Sequence, residues 1–202
     1  MSKPVETAGE TESSLIAGTD HMTVEGSDPE ATIEFYRDVL GMPLVLRQPN
    51  LDRPDLTHLF FDTGDGRMVT FFVGEDRTPP EELTPDTGDV HHLAFRIETG
   101  RLDDMKQQLD DHGYDYSEYN RGAFHAIYTS DPNDLTIELV VDTHQIPDEI
   151  RGAVYARAQQ YREDEDAEYV QDSHIEAAKD ELGVDTDTLQ PGEAPAGREI
   201  TD

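Results

Sequence analysis

The chain carries the same pattern of secondary structure twice, and this repeat restricts its fold more than any other feature. Residues 19 to 26, "TDHMTVEG", alternate as a strand does, and "SDPEATIEFYRDVLGM" then places apolar residues at helical spacing. Three strand-like runs follow, "MPLVLRQ", "LTHLFFD" and "RMVTFFV". The same order, βαβββ, returns over residues 90 to 142 after a proline-rich stretch.

Alignment of the two units places residues of similar type at matching positions. The quoted runs "HLFFDTGDGRMVTFFV" and "HAIYTSDPNDLTIELV" superpose without a gap. The resulting pairs include His21 with His92, His58 with His125, and Phe71 with Glu138. We therefore expect an α+β fold in which two βαβββ units pair into one cupped mixed sheet, with helices outside and a cleft inside.

The rest of the chain differs in character from the repeat. Helical spacing of apolar residues predicts a helical extension, packed either on the domain or on the partner in a homodimer. Both ends are polar and predict disorder. The predicted divisions are a tail over 1–18, a domain over 19–142 with units 19–75 and 90–142 and a linker over 76–89, an extension over 146–185 and a tail over 186–202.

Charge and residue types exclude several classes of function. The chain has 46 acidic and 15 basic residues, a formal net charge of −31, which disfavours nucleic acid and anionic membranes as partners. Such a composition resembles that of halophilic proteins from salt-rich cytoplasms. The absence of cysteine excludes disulfides and thiolate metal sites. Without an apolar leader or an 18-residue apolar run, a soluble cytoplasmic protein is expected.

Strand alternation separates the two neighbouring histidines of "DVHHLAF". His92 lies on the polar face of its strand, whereas His91 begins the apolar face that packs on helices. The same alternation places His21 and Glu138 on the cleft side. Each of these residues is also compatible with an ordinary strand position. The equivalence of His21 and His92 in the repeat favours a ligand role.

Two imidazoles and one carboxylate on rigid strands form a candidate metal site at His21, His92 and Glu138. This ligand set suits non-haem Fe²⁺ and leaves coordination positions open for a substrate and dioxygen. Mn²⁺ and Zn²⁺ are the other metals compatible with nitrogen and oxygen ligands.

The motifs "DHMTV", "FYRDVLGM", "HHLAF" and "DPNDLTIEL" resemble those of the vicinal oxygen chelate superfamily, which includes glyoxalases, bleomycin resistance proteins and extradiol dioxygenases. The resemblance covers residues 19 to 142 and implies metal ligation by His21, His92 and Glu138. It places the fourth ligand position of the glyoxalase-type isomerases at Phe71, which cannot coordinate a metal. This loss resembles the extradiol and hydroquinone dioxygenases.

The same resemblance implies residues for proton transfer. Extradiol enzymes have a tyrosine ten residues before the ligand glutamate, and Tyr128 occupies that place. They also use histidines around the metal site, for which His125 and its repeat counterpart His58 are the candidates. Ordinary strand positions are the alternative for all three.

The sequence thus predicts a metal-dependent ring-cleaving dioxygenase that acts on a catechol or a hydroquinone with Fe²⁺ and dioxygen. A second hypothesis is a glyoxalase-like isomerase or lyase acting on another oxygen-chelating substrate. A third is a metal-free protein that sequesters a small molecule. Metal content and oxygen uptake distinguish the three.

Overall fold

The computed structural model describes residues 16–74, 77–78, 82–84, 86–98, 100–120 and 124–184. Most of the tail predicted over 1–18, all of that over 186–202 and parts of the predicted linker lie outside the described residues. In the described part of the chain, no helix is long and apolar enough to cross a membrane.

The first unit follows the βαβββ order. Its elements are β1 (His21–Gly26), α1 (Pro29–Ile33, continued by a π-helical segment over Glu34–Val39), β2 (Leu44–Pro49), β3 (Thr57–Asp62) and β4 (Met68–Val73). The side chain of Asp28 accepts hydrogen bonds from the backbone N–H groups of Glu30 and Ala31 at 2.9 and 3.0 Å, which caps α1.

The second unit repeats that order, and two further helices follow it. The elements are β5 (His92–Ile97), α2 (Leu102–His112), β6 (Tyr116–Asn120), β7 (Phe124–Ser130), β8 (Thr136–Asp142), α3 (Asp148–Asp164) and α4 (Asp172–Glu181). Gly113 adopts a left-handed conformation directly after α2 and ends that helix.

Both sheets have the same topology, which confirms the predicted α+β class and the repeat. The strand orders are β1-β4-β3-β2 and β5-β8-β7-β6. In each sheet the first strand of the unit runs parallel to the last, and the other pairs are antiparallel. Among the described residues, hydrogen bonds group the strands into two four-stranded sheets rather than one continuous sheet.

One apolar core joins the helix sides of both units. The rings of Phe35 and Tyr114 meet edge to face at 4.9 Å between centroids. The hydroxyl of fully buried Tyr36 donates to Asp131 Oδ2 at 3.0 Å, in the turn between β7 and β8. Burial raises the pKa of both groups, so the bond links a neutral phenol to a desolvated carboxyl group.

The C-terminal helices α3 and α4 form a second apolar cluster, in which Val154 and Ile175 are almost fully buried. Ion pairs attach this extension to the second sheet. Arg151 of α3 donates to both carboxylate oxygens of Asp142, the last residue of β8, at 3.1 and 2.5 Å. Arg96 of β5 contacts Asp142 and Asp148 at 3.1 Å each.

Candidate functional site

Each sheet has one face toward the helices and one face away from them, which we call the helix face and the cleft face. In the first sheet, the hydroxyl of Thr70 donates to Thr23 Oγ1 at 2.8 Å on the cleft face. The neighbouring Phe71 points the other way and is fully buried, with its ring centroid 4.6 Å from that of Tyr36. Strand alternation thus separates the two faces as the sequence indicates.

The second sheet brings three of the predicted residues together on its cleft face. Nε2 of His92 lies 3.1 Å from Oε2 of Glu138. The other carboxylate oxygen, Oε1, accepts a 2.5 Å hydrogen bond from the hydroxyl of Tyr128, which lies directly opposite in the register of β7 and β8. The Glu138 side chain is 15% exposed and that of His92 is 37% exposed. We call these three residues the second half-site.

His91 precedes β5 and is exposed. Its Nδ1 lies 2.8 Å from Nδ1 of His92, and the two rings meet at nearly a right angle. His91 therefore holds the imidazole whose other nitrogen faces Glu138. This contact requires that one of the two Nδ1 atoms carries a proton and the other accepts it.

The first sheet places His21 and His58 on its cleft face, and we call this pair the first half-site. His21 starts β1 and its Nδ1 lies 2.6 Å from Oδ1 of Asp20. His58 packs between the rings of Phe60 and Phe72, at centroid distances of 3.9 and 4.5 Å. Its Nε2 is buried and has no hydrogen-bond partner among the described residues.

Desolvation lowers the pKa of His58, and positive charge on nearby His21 lowers it further. The imidazole of His58 is therefore neutral over a wider pH range than that of an ordinary histidine. A neutral imidazole with an unpaired nitrogen is able to accept or donate one hydrogen bond to a bound molecule.

The three predicted metal ligands do not meet within one chain. Among the described residues, no group of three or more His, Asp and Glu side chains is arranged to hold a metal ion. A single chain therefore brings two of the three predicted ligands, His92 and Glu138, into contact, while His21 contacts Asp20.

The structure places His125 on the helix face, outside the cleft. Nε2 of its buried ring donates to Oε1 of Glu118 at 2.7 Å, and Glu118 also contacts Nζ of Lys106 on α2 at 2.9 Å. His125 thus belongs to a buried charged cluster beneath α2. Its position gives no support to the predicted role in proton transfer.

The alignment that paired His58 with His125 and Phe71 with Glu138 is wrong by one residue. The β3–β4 hairpin closes with Asp62 opposite Met68, and the β7–β8 hairpin closes with Ser130 opposite Thr136. This register makes Thr70 the counterpart of Glu138. An alignment that starts from the closing residue pairs of the two hairpins gives this pairing, whereas the alignment by residue type did not.

The corrected register moves the fourth ligand position from Phe71 to Thr70. A threonine hydroxyl that is already bonded to Thr23 replaces a carboxylate there. The first sheet therefore still lacks an acidic ligand at the position equivalent to Glu138. The counterpart of His58 becomes Ala126, which explains why the two predicted histidines lie on opposite faces.

A cavity of about 980 Å³ is lined by Glu138, one of the three residues of the second half-site. Its walls include Glu138 and Arg96 of the second sheet, and Met22 and Met68 of the first unit, but not His21. Arg151 of α3 reaches the same cavity, so the extension forms part of its wall. Only the tertiary structure reveals this contribution, because Arg151 lies outside the repeat.

Comparison with protein families gives a match for residues 18–139 to the model described as the Glyoxalase/Bleomycin resistance protein/Dioxygenase superfamily. The chain belongs to this superfamily. The match spans both βαβββ units and ends just after Glu138. Family membership therefore covers both half-sites but not the helical extension.

A curated relative is the protein named "Putative ring-cleaving dioxygenase MhqE" from Bacillus subtilis (strain 168). It is 28% identical over 128 residues, which cover 62% of this chain and 41% of the relative. The chain therefore spans about two fifths of the length of this dioxygenase-named relative.

Solved structures share the fold. A structure described as a putative dioxygenase from Bacillus subtilis has a TM-score of 0.55 at 23% identity, over 65% of this chain and 44% of that one. A variant of the fosfomycin resistance protein FosX from Listeria monocytogenes, complexed with Mn(II) and 1S,2S-dihydroxypropylphosphonic acid, has a TM-score of 0.50 at 21% identity. It covers 68% of this chain and 98% of that chain.

Proposed function

We propose that the protein is a ring-cleaving dioxygenase that acts on a catechol or a hydroquinone with a divalent metal, Fe²⁺ before Mn²⁺ or Zn²⁺. The observation that carries the proposal is the row of contacts on one cleft face, in which Glu138 lies between His92 and the hydroxyl of Tyr128. Superfamily membership and the name of the curated relative add support. The FosX complex with Mn(II) supports a divalent metal.

The cleft faces offer groups that suit a phenolic substrate. Phe60 and Phe72 flank His58 and provide apolar surface on which an aromatic ring packs. The buried Nε2 of His58 has no hydrogen-bond partner among the described residues, which makes this imidazole the candidate for accepting a proton from a phenolic hydroxyl. These groups suit a dihydroxy aromatic molecule, and the contacts do not require that the substrate carries a charge.

Tyr128 provides a second proton at a defined atom. Its hydroxyl oxygen carries the hydrogen that is shared with Glu138 Oε1. When Glu138 no longer accepts this hydrogen bond, the hydrogen is available to an oxygen atom of the bound substrate.

The test is metal analysis of protein purified without oxygen in high salt, followed by oxygen uptake and mass spectrometry with a panel of catechols and hydroquinones. We expect bound metal and a ring-opened product that has gained two oxygen atoms. Glu138→Gln should abolish both, whereas Glu149→Gln, at an exposed position of α3, should leave both unchanged.

Other outcomes contradict the proposal in distinct ways. Bound metal with no oxygen uptake on any dihydroxy aromatic would favour the isomerase or lyase hypothesis. Absence of metal together with tight binding of an aromatic ligand would favour sequestration.

A further inference from the structure

The cavity lined by Glu138 is larger than a bare catechol or hydroquinone needs. Its volume of about 980 Å³ lies at the upper end of the range of about 300–1,000 Å³ that is typical of pockets for drug-sized ligands. A single aromatic ring with its hydroxyl groups would leave most of this space unfilled. The cavity therefore has room for a substituent on the ring.

Methionine side chains lie along the apolar part of the cavity wall. Met22 and Met68 belong to β1 and β4, Met42 follows the π-helical segment, and Met105 lies on α2. Met22 is 38% exposed and the other three are partly buried. The sequence has only one further methionine, Met1, which lies outside the described residues. Flexible thioether side chains adapt to the shape of an apolar ligand, so this wall suits a hydrocarbon group.

The guanidinium groups in the cavity wall are engaged by carboxylates. Arg67 contacts Asp65 at 2.7 Å, and Arg96 contacts Asp142 at 3.1 Å. Arg151 also donates to Asp142. Among the described residues the wall has five acidic and three basic side chains, so its charge disfavours an anionic substituent.

Ala94 lies between the methionine-lined part of the cavity and the carboxylate of Glu138. The two residues are opposite each other in the register of β5 and β8, and both line the cavity. The methyl side chain of Ala94 leaves space beside the carboxylate. A ring that binds at Glu138 is therefore able to extend a substituent past Ala94 toward the methionines.

We propose that the substrate is a dihydroxy aromatic molecule with an uncharged alkyl substituent, which occupies the methionine-lined cavity. The ring lies beside Glu138, and the alkyl chain passes Ala94. Burial of the chain against the thioether side chains provides the selectivity. The inference rests on the proposed function for the ring and its hydroxyl groups, whereas the affinity for the alkyl chain does not depend on the reaction.

The first experiment measures binding of alkyl hydroquinones of increasing chain length to the full chain, by calorimetry in high salt without oxygen. Each methylene group that becomes buried should raise the affinity by up to about 4-fold until the cavity is filled. A hydroquinone with a carboxylate at the end of the same chain should bind at least about 10-fold more weakly, because it meets the acidic side chains of the wall.

Methionine methyl NMR locates the bound alkyl chain. The ¹³C-methyl signals of Met22, Met42, Met68 and Met105, each assigned by a substitution with leucine, should shift on addition of the alkyl compound and shift less with unsubstituted hydroquinone. Met68→Gln should lower the affinity for the longest alkyl chain about 10-fold and change that for unsubstituted hydroquinone by less than about 2-fold. Leu182→Gln, at an exposed position just after α4, is the matched control and should change neither affinity.

An affinity that does not depend on chain length would overturn the inference, and so would methionine signals that do not move when the alkyl compound binds. Equal affinity for the carboxylated compound would overturn it as well. Dependence on chain length with the expected methionine shifts but without ring opening would support the inference and contradict only the proposed function. Ring opening of unsubstituted and alkylated hydroquinones with equal kcat/KM would contradict only the inference. Circular dichroism of each variant verifies that it is folded.

Discussion

The hydroxyl of Tyr128 donates a 2.5 Å hydrogen bond to Glu138 Oε1, and the two residues lie directly opposite each other on β7 and β8. The bond fixes the orientation of the carboxylate, so that its second oxygen faces Nε2 of His92 at 3.1 Å. His92 and Glu138 are thereby held in place by the sheet itself.

Removal of this hydroxyl should weaken metal binding. Loss of a group that orients a ligand typically costs about 10-fold to 100-fold in metal affinity. We expect Tyr128→Phe to lower the Mn²⁺ affinity by this amount, measured by titration. Tyr119→Phe is the matched control, because its ring lies beside Tyr128 at 5.6 Å. Equal affinities for the two variants would refute the orienting role.

The corrected register predicts losses of stability of different size for two neighbouring phenylalanines. Phe71→Ala should lower the free energy of unfolding by about 3–5 kcal/mol, because it creates a cavity in the core. Phe72→Ala, on the partly exposed cleft face, should cost less than about 2 kcal/mol. Urea unfolding in high salt measures both values. A larger loss for Phe72→Ala would restore the original alignment.

The lowered pKa of His58 predicts a dependence of stability on pH. Between its folded pKa and the ordinary value of about 6.5, the unfolded chain binds more protons than the folded chain. The free energy of unfolding should therefore fall as the pH drops below about 6.5. His58→Gln should lose less stability over this interval than the wild type. Titration of the histidine ring signals by NMR measures the pKa directly.

The ion pairs of Arg151 should anchor the helical extension to the second sheet. Arg151→Met leaves Asp142 with Arg96 alone, and we expect a loss of about 1–3 kcal/mol and faster amide hydrogen exchange in α3. Arg157→Met is the control on the same helix, since its partner Glu181 lies on α4 and is exposed. That change should cost less stability than Arg151→Met, because solvent screens an exposed ion pair. Similar exchange rates in both variants would argue against the anchor.

Strand alternation and the repeat were enough to predict the two βαβββ units and the faces of His21, His92 and Glu138. These features are local, because a side chain two residues further along a strand always returns to the same face. The prediction that His91 packs on the helix side is wrong, because His91 precedes β5, is exposed and contacts Nδ1 of His92 at 2.8 Å. The family resemblance drawn from the motifs is confirmed by the match over residues 18–139.

Register and the packing of the units depend on contacts that a sequence pattern does not contain. The sequence alignment of the two hairpins was wrong by one residue, so it assigned Phe71 to the position of Thr70. It also paired His58 with His125, which lie on opposite faces because the side-chain period of a strand is two. Only the tertiary structure showed that the units join through their helices, with His21 away from Glu138. It also placed Arg151, from outside the repeat, at the wall of the cavity beside Glu138.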